Sequence, residues 1–294
     1  MCRGMSSRPF KLSVISDEVS QDLVRVAEFA KKFELDAIEI RTIWNKPPHQ
    51  LLDHVDEITG ILARYGLRVC SIASPFFKCN IDSKDEYLLH LDILRKCCEL
   101  AKRLDANIVR GFTFWRKGKY EDYESKIIEL FQKPLEIIED EGIVLAIENE
   151  PATFTTNGRL VSMIIEKLCS KYVKAVWDPG NDISDPYGEI PYPDGYNYIK
   201  KHVIHVHIKD AKKVDGEVIP VPIGEGDVDF VEQFKALMND GYRGYLSLET
   251  HWRPGKKLTE EQIVRPGGAS FSEAGEEASD ICMRNLIKIL ESII

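Results

Sequence analysis

Eight short apolar or alternating segments recur along the chain, with amphipathic helical patterns between nearly all of them, and that repetition leaves few folds open. The segments are LSVIS (12–16), AIEIR (37–41), RVCSIAS (68–74), ANIVRGF (106–112), IVLAIE (143–148), VKAVWD (173–178), VIHVHIK (203–209) and GYLSLE (244–249). Their length and their alternating or continuous apolar character suit strands. QDLVRVAEFAKKF follows the first, and HVDEITGILARYG the second, with Gly66 placed as a C-cap. YLLHLDILRKCCELAKRL follows the third and sets Leu88, Leu91, Ile93, Leu94 and Leu100 on an apolar stripe. SKIIELFQKPLEIIEDEG follows the fourth, with Pro134 as a candidate kink. GRLVSMIIEKLCSKY follows the fifth, and DFVEQFKALMNDG the seventh, with Asp229 and Glu232 spaced as a capping box. NLIKILESII ends the chain.

Strands that alternate with helices run parallel, because each helix carries the chain back to where the next strand starts. Eight such units in 294 residues predict an α/β protein, a (β/α)8 TIM barrel in which residues 1–294 form a single domain. An open doubly wound sheet is the alternative. In a barrel, the strand C-termini gather at the end where such enzymes keep their active sites. Two long loops would lie there and act as lids: DISDPYGEIPYPDGYNYIKKH, with at most a short helix, and WRPGKKLTEEQIVRPGGASFSEAG.

Four strands of the second half end in metal-type ligands: Glu148, Asp178, His207 and Glu249. Side chains alternate faces along a strand, so Glu148 shares a face with Ala146 while Leu145 and Ile147 oppose it. His207 shares a face with His205, and Glu249 with Ser247. Three carboxylates and one imidazole suit one divalent cation that prefers oxygen, such as Mn²⁺, Mg²⁺ or Co²⁺, with Zn²⁺ also compatible. The bland alternative is a set of unrelated polar residues at a barrel mouth. One strand-end carboxylate is as often a cap or an ion pair as a ligand, but four on consecutive strands favour a site. His205 is expected to be a buried, hydrogen-bonded histidine rather than a ligand.

Other residues near strand ends are candidates for holding substrate. Arg41 ends strand two on the face of Glu39, Arg110 lies near the end of strand four, and Trp115 follows that strand. Glu150 shares a face with Glu148, Lys209 lies two past His207, and His251 two past Glu249. Aromatic faces pack against sugar C–H groups, and Arg or Lys binds hydroxyls, carboxylates or phosphates. Packing is the competing explanation for Arg110 and Trp115, and solvated rim charge for Glu150.

Composition excludes several classes. A net charge of −9 makes a polyanionic nucleic acid a poor default partner. No stretch reaches the roughly 18 apolar residues of a membrane span. The start, MCRGMSSRPF, has no apolar run, so no signal peptide is expected. Seven cysteines without a CxxC pair, Cys97 and Cys98 being adjacent, read as reduced thiols of a cytoplasmic protein.

SDEVSQDL, AIEIR, AIENE, WDPGN, HVHIKD, IGEGDVDF and GYLSLE, in this order on successive strands, resemble motifs of the sugar phosphate isomerase/epimerase superfamily, the xylose isomerase-like barrels. The resemblance spans essentially the whole chain. It implies that Glu148, Asp178, His207 and Glu249 hold the metal, and that Glu148 and Glu249 act as acid and base on opposite sides of the substrate. The substrate it implies is a small carbohydrate. Many epimerases, and the repair nucleases of the group, have a histidine where this chain has Asn181, three residues after Asp178, so the nuclease activity is disfavoured. Homo-oligomers are common in the group. The activity implied is isomerisation or epimerisation through a cis-enediolate, in which a proton leaves the carbon next to a carbonyl. A metal-dependent sugar or cyclitol dehydratase is the alternative. A metal-free sugar-binding barrel would be expected to lack one or more of the four ligands, and all four are present.

Overall fold

The computed structural model describes residues 9–293. Most of the N-terminal segment read for a signal peptide lies outside the described residues. Among the described residues there are ten strands: β1 Lys11–Val14, β2 Ala37–Ile40, β3 Arg68–Phe76, β4 Ile108–Gly111, β5 Val144–Glu148, β6 Val173–Trp177, β7 Val203–Ile208, β8 Asp210–Val214, β9 Glu217–Val221 and β10 Tyr245–Leu248. Eight of them form one parallel sheet in the order β1-β10-β7-β6-β5-β4-β3-β2. A parallel bridge between Ile15 and Glu39 brings the two edges together, so the sheet is a nearly closed barrel. The (β/α)8 expectation holds, and the open doubly wound sheet is excluded.

The main apolar core fills the space between the strands and the surrounding helices. The long helices each bury one stripe, and local chemistry fixes their ends. The Asn157 side chain accepts from Leu160 N at 2.9 Å at the start of Gly158–Leu168. Gly66 closes Val55–Tyr65 at φ 67°, a left-handed conformation that glycine adopts without strain. The box at Asp229 is half made: Asp229 accepts from Glu232 N, but the Glu232 side chain pairs with Lys235 instead. A complete box sits at Thr259 and Gln262, inside the long loop after β10, where short helices Glu260–Val264 and Gly268–Ser272 replace the expected coil. The loop after β6 is likewise more helical than expected, with turns at Pro179–Asp182, Pro191–Gly195 and Tyr196–Ile199. Helix Tyr120–Glu141 runs on through Pro134.

The barrel interior has two unlike halves. Ile108, Ala146 and Val176 form a small apolar plug, separate from the main core. Each stands two residues before a strand-end polar group, namely Arg110, Glu148 and Asp178. The other half is polar: Ser247 Oγ donates to Glu39 Oε2 at 2.7 Å, and His205 Nε2 lies 2.8 Å from the same oxygen.

Beyond β7 the chain forms an antiparallel hairpin, β8–β9, that the sequence reading missed. Its turn is Asp215-Gly216, both at positive φ, the two-residue connection that suits a twisted hairpin. Asp210 anchors its base, accepting from the backbone N–H of Ala211, Gly224, Gly226 and Val228 at 2.8–3.4 Å. Asp210→Ala would leave these donors without their acceptor. A loss of about 2–4 kcal/mol in unfolding free energy is expected, together with faster amide exchange over 224–228. Unchanged exchange in that loop would contradict this anchoring.

Candidate metal centre

The four strand-end ligands converge. One donor atom from each of Glu148, Asp178, His207 and Glu249 lies within 4.8 Å of the other three, and all four residues are buried. Parallel register creates this meeting: His207 lies beside Ser247 in the β7–β10 ladder, and Glu148 beside Val176 in β5–β6. Two residues beyond Val176 and Ser247, on the same faces and just past the ends of β6 and β10, stand Asp178 and Glu249.

Local motifs hold these ends in place. Asn149 clamps β5 to β6, accepting from Asp178 N at 2.9 Å and donating to Asp178 O at 2.8 Å. Asp178 caps the turn that follows it, accepting from Asn181 N at 3.0 Å through Oδ1. Gly180 admits the β7 end, since a Cβ there would stand 2.4 Å from Lys209 O. Asn181 donates through Nδ2 to Glu148 Oε1 at 3.3 Å and to Asn149 O at 2.8 Å.

His207 points Nδ1 at Glu148 Oε1 (3.2 Å) and Glu249 Oε2 (3.4 Å), and Nε2 at Glu39 (3.3 Å). Burial alone would strip its proton, but Glu39 and Glu148 outweigh burial and hold its pKa well above 6.5. Burial also pushes Glu148 up, yet Arg110 and His207 more than compensate and bring it to about 2. Asp178 goes the other way, to about 7: burial dominates, Lys209 offsets part of it, and Glu249 and Glu148 add repulsion.

Around this centre lies a layer of buried ion pairs. Arg41 contacts Asp17 at 2.9 Å, Glu18 at 2.7 Å and Glu249 at 2.5 Å. Arg253 and the His251 ring also reach Glu18, at 3.2 and 3.0 Å. Arg110 Nη1 is 3.1 Å from Glu148 Oε2, and Lys209 Nζ is 2.8 Å from Asp178 Oδ2 and 3.0 Å from Glu249 Oε2. Despite these ion pairs, Glu148 Oε2 and Asp178 Oδ2 accept no well-directed hydrogen bond.

A charge count tests whether a metal fits. Six carboxylates are joined by these contacts: Asp17, Glu18, Glu39, Glu148, Asp178 and Glu249. Only four Arg or Lys groups answer them: Arg41, Arg110, Lys209 and Arg253. The imidazoles of His205, His207 and His251 also touch these carboxylates, and a divalent ion would supply positive charge that the arginines and lysines do not. The oxygen-rich donor set, the two under-bonded carboxylate oxygens and the excess of carboxylates over arginines and lysines all fit a single divalent cation held by Glu148, Asp178, His207 and Glu249.

The other residues singled out from the sequence separate into two groups. Arg110, Glu150, Asn181, Lys209 and His251 line the cavity beside the ligands, with Lys78, whose Nζ donates to Glu150 Oε2 at 2.7 Å. Arg41 is locked in its ion pairs outside that cavity, and Trp115 lies under the Arg265 guanidinium, 5.1 Å from ring centre to Cζ. His205 is buried against Glu39. The sequence reading did not single out Asp17, Glu18, Lys78 or Arg253. SDEV, placed at the end of β1, was the available signal for Asp17 and Glu18, whereas Lys78 had none.

A parallel barrel carrying a buried three-carboxylate, one-imidazole cluster at its strand C-termini defines a class of barrel built for chemistry at that end. The chain belongs to the xylose isomerase-like TIM barrel family, whose model matches residues 27–269. Among curated proteins it is 27% identical over 197 residues to the uncharacterized protein MJ1311 of Methanocaldococcus jannaschii, a match covering 63% of this chain and 65% of that protein's length. Solved structures share the fold. A zinc-bound IOLI protein superposes with a TM-score of 0.74 at 18% identity, covering 97% of this chain and 99% of its own. D-allulose 3-epimerase from Methylomonas sp. gives 0.73 at 16%, covering 97% and 98%. The probable 3-DHS dehydratase AsbF from Bacillus anthracis gives 0.70 at 15%, covering 96% and 99%.

The raised pKa values set a pH dependence. Asp178, at about 7 folded against 3.8 ordinarily, stabilises the metal-free protein fully below pH 3.8 and loses that contribution as pH rises through 7. His207 adds a contribution that is fully present below pH 6.5 and is lost as pH rises through its raised folded value. An ion must displace both protons, so its affinity should climb with pH by up to roughly tenfold per unit for each proton released. Calorimetry at pH 6 in buffers of different ionisation enthalpy should report net proton release. Affinity that stays flat from pH 5 to 8 would contradict the assignment.

Proposed function

We propose that the protein is a metal-dependent sugar isomerase or epimerase that moves a proton at the carbon next to a carbonyl. The observation that carries this reading is the pair Glu148 and Glu249: both belong to the four-ligand cluster, and both line one cavity with Asn181, Lys209 and His251. Family membership and the likeness to D-allulose 3-epimerase support a carbohydrate substrate. The IOLI structure, which binds zinc, supports a divalent cation held by Glu148, Asp178, His207 and Glu249.

The bound ion would supply Lewis acidity to a chelated carbonyl and its neighbouring hydroxyl. The chain's own residues do the rest. One of the two glutamates removes the proton from the substrate carbon, and the other, on the opposite side, returns one. Arg110 restrains Glu148 and Arg41 restrains Glu249, so each carboxylate is aimed by a guanidinium from beneath. Return of the proton to the same carbon from the opposite face gives an epimer, and delivery to the adjacent carbon gives an aldose–ketose pair.

One observation keeps a dehydratase in view. Lys209 and His251 sit on the same cavity and could protonate a departing hydroxyl, and AsbF shares the fold. The two readings separate in one experiment. Ketoses incubated with the metal-loaded protein in D₂O should gain deuterium next to the carbonyl without new ultraviolet absorbance. An elimination would instead produce a conjugated chromophore. Glu148→Gln and Glu249→Gln should each lower turnover by a factor on the order of 10²–10⁴ with an unchanged circular dichroism spectrum. Near-normal activity in either variant would overturn the acid–base assignment.

A further inference from the structure

We propose that Lys209 is a tethered stand-in for the metal: its ammonium holds Asp178 and Glu249 together in the metal-free protein and leaves them when the ion arrives. The inference rests on the metal reading above. Nζ lies 2.8 Å from Asp178 Oδ2 and 3.0 Å from Glu249 Oε2, both of them carboxylates of the four-ligand cluster. An ion held by the same oxygens at about 2.0–2.5 Å would come close to a group that already carries a positive charge. Two like charges, one of them double, repel at about 4 Å by several kcal/mol even at an effective dielectric of 20. Ion and ammonium therefore compete for one position.

The surroundings give the ammonium somewhere to go. Lys209 ends β7 on a flexible four-carbon stem and lines the cavity together with Glu150, Ser184, Val218 and Pro220. The other cations of the network lack that freedom. Arg41 is gripped by three carboxylates, and Arg110 also donates to the backbone oxygens of Ser74 and Ala73. Lys209, by contrast, contacts only carboxylates that the ion would take over. Once displaced, its ammonium faces the cavity and whatever substrate fills it.

The test compares wild type with Lys209→Met, and with Lys209→Gln should the first fold poorly. Melting temperature is measured metal-free and with saturating Mn²⁺, and Mn²⁺ affinity by calorimetry. The variant should bind Mn²⁺ roughly tenfold or more tightly than wild type. It should melt lower than wild type when metal-free, but not when loaded. Equal losses in both forms would mean that Lys209 keeps its contacts in the presence of the ion, and would overturn the inference. So would Mn²⁺ affinity that is unchanged or weaker. If wild type itself takes up no divalent ion, the metal reading fails and the inference fails with it.

Discussion

Buried negative charge without enough fixed positive charge to answer it is the constraint on which the rest of this molecule turns. Taking a carboxylate out of water costs several kcal/mol even after relaxation, unless a partner compensates. Here Glu39, Glu148, Asp178 and Glu249 are withdrawn into the barrel mouth together with Asp17 and Glu18. Four arginine and lysine groups cannot neutralise them. The cluster is held by the guanidiniums of Arg41, Arg110 and Arg253, by the surrounding imidazoles, and by the Lys209 ammonium between Asp178 and Glu249. Such an arrangement costs stability, and its donor set is one that could hold a divalent ion.

The fold makes that concentration of charge tolerable. Parallel strands deliver successive ligands to one end, and the apolar plug of Ile108, Ala146 and Val176 seals the interior beneath three of the strand-end groups. The polar half of the interior has its own purpose. Glu39 takes contacts from His205, His207 and Ser247, which fixes the His207 ring with Nδ1 toward the ligands. The surrounding arginines set which way each carboxylate faces. Arg41 reaches Glu249 from β2, across the seam where the barrel closes between β1 and β2. Closure of the barrel and orientation of Glu249 are thus one structural problem.

The four residues that converge were legible in the sequence because each puts a metal-type side chain at a strand end, on the face opposite the bulky aliphatics. Strand order and the inward face then follow from period two and the rule of parallel crossover. The supporting layer was not legible. Arg41 meets Glu249 across 208 residues, and His251 N donates to Glu18 across 233, separations on which local periodicity carries no information. For Trp115, placed after β4, the sequence left sugar contact and packing both open, and its contacts with Arg265 and Lys78 are again long-range. The β8–β9 hairpin carried a readable Asp-Gly turn, but β8 begins within the HVHIKD motif, whose ligand pattern drew the reading toward a single strand and a loop.

The central claim is one divalent ion per chain at the junction of β5, β6, β7 and β10. The most direct measurement is elemental analysis of purified protein after exposure to Mn²⁺, Mg²⁺, Co²⁺ and Zn²⁺ and removal of free ions, beside a His207→Ala variant. The account expects close to one ion per chain in the wild type and a large loss in the variant. No retained ion in either protein, or about three zinc ions per chain, would contradict it.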